Sequence, residues 1–73
     1  MTYIVIELQT METGQVANIA TAYDSLAAAQ SKFHTILAAA ALSGLPAHAA
    51  LILDEEGVVQ DHGCFRHEEQ ADE

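Results

Sequence analysis

The sequence predicts an α+β fold of chain order ββαββ, a four-stranded antiparallel sheet with one helix packed on one face. Three observations lead there. A run rich in β-branched residues opens the chain and a short apolar run lies toward its end, one apolar stripe of helical period fills the middle, and Gly14 and Gly57 punctuate the runs. With 73 residues and 51% apolar composition the chain suffices for a single domain, expected over 1–66. Residues 67–73 carry four acids in the last six positions and little to bury, so they are expected to form an acidic, disordered tail.

Thr2 to Gln9 reads as the first strand. Ile4, Ile6 and Leu8 alternate with Tyr3, Val5 and Glu7, and the all-aliphatic set is expected to be the half-buried side. Tyr3, Val5 and Glu7 are then expected on the face the helix leaves open. Met11 to Gln15 supplies a turn in which Gly14 suits a positive φ, and Val16 to Tyr23 returns as the second strand. Asp24 is the expected cap of the helix that follows, with Ser25 competing. Leu26, Ala29, Phe33, Ile36 or Leu37, and Ala40 mark the stripe that should meet the sheet, with Lys32 and Thr35 on the opposite side. A stop near Ser43 is expected from a left-handed Gly44, and Pro46 prevents resumption. His48 to Leu53 and Val58 to about Phe65 form the second hairpin, joined by the solvated turn Asp54-Glu55-Glu56-Gly57.

The segment Ile36 to Leu42 is apolar on every side of the helix that holds it. Apolarity all round implies cover from two directions, one the sheet and the other a second subunit. A chain this short is marginal alone, and one cysteine cannot form an internal disulfide, so oligomerisation is the expected source of added stability. The predicted oligomer interface comprises Thr35, Ala38, Ala39, Ala41 and Leu42, and the expected partner is the protein itself, as a homodimer or higher oligomer.

Charge narrows the function classes. Eleven acidic groups face only Lys32 and Arg66, a net charge of -9. Such a surface repels phosphate backbones and anionic lipid, which argues against direct nucleic-acid or membrane binding but suits a basic host or virion protein. Met1 to Glu7 lacks a basic n-region and breaks its apolar run at Glu7, so no signal peptide is read there. The expected location is cytoplasmic or virion-associated.

No motif specifies catalysis, so a non-enzymatic role is expected, without cofactor. His62, Cys64 and His67 carry metal-type side chains, yet H-x-C-x2-H is no standard zinc spacing, and no site is assigned to them. A Cys64 nucleophile would need a histidine in reach and an oxyanion hole, neither of which the pattern offers. The acidic turn lacks the alternating oxygen ligands of a calcium loop. No glycine-rich phosphate loop precedes the helix.

Tyr23-Asp24-Ser25, Ala29, Ser31-Lys32-Phe33-His34, Leu37 to Ala41, Ser43, Pro46, His48 and Gly57 resemble a group of short uncharacterised proteins of gut Firmicutes and their phages or prophages. The resemblance covers most of the chain and implies a small accessory protein, acting by binding other proteins or by assembling with itself. It transfers no catalytic residue. The expected function is therefore an acidic interaction and self-assembly module. The alternatives are an acidic nucleic-acid mimic that inhibits a host defence protein, and a metal-binding or thiol protein.

Overall fold

The structure, a computed structural model, is described for residues 1–67. Strands β1 (Tyr3–Thr10) and β2 (Val16–Tyr23) form the first hairpin, helix α1 (Leu26–Ala41) follows, and β3 (Ala47–Asp54) with β4 (Val59–Arg66) forms the second. All neighbouring strands are antiparallel, in the order β2-β1-β3-β4. The chain is the expected ββαββ arrangement. Because β2 and β3 both run against β1, they are parallel to each other, and α1 crosses over the sheet to connect them. The acidic tail expected at the end of the chain lies, from Glu68 onward, outside the described residues.

The two hairpins close with the same turn. Gly14 N–H donates to the Met11 carbonyl at 2.9 Å with φ +91°, and Gly57 N–H donates to the Asp54 carbonyl at 2.9 Å with φ +84°. Both glycines hold a left-handed conformation that a Cβ would strain, which explains the residue type at each.

Helix α1 is capped by Ser25, not Asp24. Ser25 is extended, and its Oγ accepts from the Ala28 N–H at 3.1 Å, whereas Asp24 stands one residue too early to reach the first turn. The end also differs from expectation. Leu42 and Ser43 N–H groups donate to Ala39 and Ala40 carbonyls, both at 3.1 Å, and Ser43 Oγ then accepts from Leu45 N–H at 3.0 Å. That tightened last turn satisfies the carbonyls, so Gly44 needs no positive φ and has none.

Ala29, Phe33, Ile36 and Ala40 are the buried residues of α1, and they meet Val5, Ala50 and Ile52 of the central strands. The stripe read from periodicity is the one that packs. Small residues let the helix approach closely: Ala29, Ala40 and Ala50 are fully buried, and a Cβ on Gly63 would stand 2.7 Å from Leu37 Cδ1. Lys32, expected to face away, is half-buried at the helix flank.

The sheet faces are the reverse of the expected ones. Tyr3, Val5 and Glu7 lie under the helix, with His48, Ala50, Ile52 and Asp54 beside them, while Ile4, Ile6 and Leu8 stand on the uncovered side. The reason is that both alternating sets of β1 are apolar enough to be buried. Parity is then decided by β3, whose helix side offers Ala50 for close approach and His48 to partner Glu7.

Candidate functional site

Two features stand out: a polar pair beneath the helix and a bare apolar face beneath the sheet. Glu7 lies on β1 and His48 on β3, directly opposite Gln9. His48 Nε2 sits 2.7 Å from Glu7 Oε2, and Gln9 Nε2 donates to the same oxygen at 3.0 Å. Their side chains are only 7% and 17% exposed for His48 and Glu7 respectively. His48 Nδ1 is buried without a hydrogen-bond partner. An ionised carboxylate can only accept, so Nε2 carries the proton of this hydrogen bond.

The hydrogen bond from His48 holds the Glu7 carboxyl below the usual glutamate range, against the opposing effect of burial, with Gln9 and the Lys32 charge adding to the lowering. A lowered folded value means that the unfolded chain takes up this proton first on acidification. The stability Glu7 contributes is complete above its unfolded value of about 4.3 and is lost as pH falls through the folded value. Urea midpoints at pH 7 and pH 3.5 should therefore differ more for the native chain than for Glu7→Gln. Equal acid losses in both would contradict the assignment.

The second feature is the open side of the sheet. Beside Ile4, Ile6, Leu8 and Thr10 it presents Ala47, Ala49, Leu51 and Leu53 of β3. The edges add Val16, Asn18, Ala20 and Ala22 from β2, and Val59, His62, Cys64 and Arg66 from β4. Ile6 faces Leu51 and Ile4 faces Leu53 across the central pair, so the largest side chains meet in the middle. Among the described residues, no aspartate or glutamate stands there. Every acid within the strands, Glu7, Asp54 and Asp61, is on the helix side, and the other described acids lie in turns and connections.

The residues predicted to carry function fall in different places. Thr35, Ala38, Ala39, Ala41 and Leu42 are all exposed on the outer side of α1, Leu42 to 90%. His62 and Cys64 share the open sheet face, where Cys64 is exposed. His67 is elsewhere: its Nε2 donates to the Ala40 carbonyl at 2.8 Å at the helix end, and its ring stacks on Phe65. His67 N–H also donates to Pro46, so the residue belongs to the fold and not to the tail. Among the described residues, no three histidine, cysteine, aspartate or glutamate side chains come together in a metal-binding group.

Sequence reasoning missed the Glu7–His48 pair. Its signal was parity: polar residues at 7 and 9 of one apolar strand and at 48 of another, which must share a face if they are to satisfy each other. Comparison with protein-family models, curated proteins and solved structures yields no match. No helix among the described residues is long and apolar enough to cross a membrane.

Proposed function

We propose that the protein is a small, acidic, non-enzymatic interaction module that works by assembling with itself, in a phage or prophage accessory role. The observation that carries this reading is the apolar face of the open sheet, which none of the described acids occupies. A chain of charge -9 that spreads its acids at random over its surface would place some there. Their absence leaves one face on which two copies can meet without opposing carboxylates, and central aliphatic side chains to exclude water. The resemblance to phage-encoded proteins supports the setting.

Two surfaces compete for the contact. The outer helix patch offers a row of alanines ending in Leu42, each with little apolar area to bury. The sheet face offers Ile4, Ile6, Leu51 and Leu53 in one cluster and is the stronger candidate. Replacing Leu51 by Glu should abolish association through this face and leave the fold intact, since the side chain points away from the core. Replacing Ala39 by Glu should leave association unchanged. Sedimentation with circular dichroism as the folding control checks both, and dissociation by Ala39→Glu alone would move the interface to the helix.

The acidic-inhibitor reading rests on net charge alone and predicts binding to a basic partner that weakens steeply with salt. Association through the sheet face predicts the opposite, a contact preserved or strengthened at high salt.

A further inference from the structure

We propose that strand β2 is a second self-association surface: two copies join β2 edge to β2 edge, antiparallel, into one eight-stranded sheet. The inference rests on the self-assembly reading and extends it from a pair to a closed tetramer.

The two edges of the sheet differ in kind. β4 carries Asp61, His62 and Arg66 and a bulge at Gln60, where Ile52 pairs with Asp61 but Leu53 with Val59. Charges and bulges are the devices that keep an edge strand from pairing with another chain. β2 has none of them. Val16 to Tyr23 contains no charged residue and no proline, and its eight residues pair with β1 without irregularity. An acidic chain has thus left this edge free of the repulsion that would oppose a second copy.

Geometry permits the pairing. The Met11 N–H donates to the Gln15 carbonyl at 2.8 Å, so residues of β2 with odd numbers bond inward to β1. Val16, Asn18, Ala20 and Ala22 then turn their N–H and C=O groups outward. A strand paired antiparallel with its own copy is related to it by a two-fold axis, and helices stay on one side only if residues of like parity face each other. A register centred on Ile19 meets this condition, with Val16 opposite Ala22 and Asn18 opposite Ala20, and it uses all four outward residues. It also places Ile19, 54% exposed on the helix side beyond the reach of α1, against Ile19 of the second copy.

The area of the open face also favours the larger assembly. Four strands of eight residues, about 4.8 Å apart and rising about 3.3 Å per residue, give an open face of about 500 Å². Two such faces bury about 1,000 Å² in total, the lower bound for a specific interface. Joining sheets edge to edge first doubles the face that can stack. The edge two-fold is perpendicular to the sheet and the stacking two-fold lies parallel to it, so together they close a tetramer of D2 symmetry.

Sedimentation of the full chain and two variants tests this. Ala20→Pro removes an outward N–H that β1 does not use, and a proline is tolerated on such an edge. Ile19→Lys sets two cations together at the axis and serves if the proline variant unfolds. The native chain should sediment as a tetramer, either β2 variant should halve its mass, and Leu51→Glu should halve it by the other route. In the native chain the Asn18, Ala20 and Ala22 amides should exchange slowly. A native mass unmoved by folded Ala20→Pro and Ile19→Lys, with those amides exchanging rapidly, overturns the edge inference while leaving the face reading intact if Leu51→Glu still lowers the mass. A native dimer that the β2 variants break and Leu51→Glu does not would uphold the edge and overturn the face. A strict monomer overturns both.

Discussion

Phe33→Ala should remove most of the stability of the fold, about 3–5 kcal/mol by analogy with other buried aromatic truncations. Phe33 is 2% exposed and is among the largest fully buried side chains of the chain. Its neighbours in the core include Ala29 and Ala50, both fully buried, which have no atoms to move into the vacated space. The cavity would therefore persist, and the loss should lie toward the upper part of that range. A domain of 73 residues has about 4–11 kcal/mol in all at the usual stability per residue, so the variant should be partly unfolded at room temperature. Urea unfolding followed by helical circular dichroism measures this, and Phe33→Leu should recover most of the difference. A shift worth under about 1 kcal/mol would mean that the helix is not held by this side chain.

Asp54→Ala should cost about 3 kcal/mol, through lost charge-assisted hydrogen bonds. Asp54 is 7% exposed at the end of β3. Its Oδ1 accepts from the Glu56 and Val58 N–H groups at 2.8 and 3.0 Å, and its Oδ2 accepts from Gln60 Nε2 at 3.1 Å. One carboxylate thus shapes the turn and anchors the bulge of β4. Asp54→Asn keeps an acceptor for both backbone donors and should lose less than half as much. Hydrogen exchange would show Glu56 and Val58 amides released in the alanine variant and retained in the asparagine variant. Equal losses in the two would mean that charge rather than turn geometry holds Asp54 in place.

Much of the candidate interface was legible as composition but not as location. The sequence announces an apolar surplus and an acid surplus, and it places the surplus apolarity on Ile36 to Leu42. The structure buries Ile36 and Ala40 of that run, leaves the rest mostly as exposed alanine, and leaves Ile4, Ile6, Leu8, Leu51 and Leu53 half-buried on a sheet face that no described element covers. Helical periodicity could not reveal this, because the deciding residues, Ile6 and Leu51, are 45 positions apart and become neighbours only through the β1–β3 register. The polar pair was hidden for the same reason, since Glu7 and His48 are 41 positions apart.

What the sequence determined by itself was local: the order of elements, the span of β2, the two glycine turns and the helix stripe of Ala29, Phe33, Ile36 and Ala40. Each of these follows from neighbours within a few residues, where propensity, period and backbone sterics act directly. Only the tertiary structure decided which face of the sheet the helix covers. Both faces of β1 could be buried, and the choice rests on small residues at Ala50 and Gly63 that admit the helix and on a partner for Glu7 supplied by a distant strand. Burial is a property of the whole assembly of strands, so the side of β1 that looks more hydrophobic in the chain is the side left open in the fold.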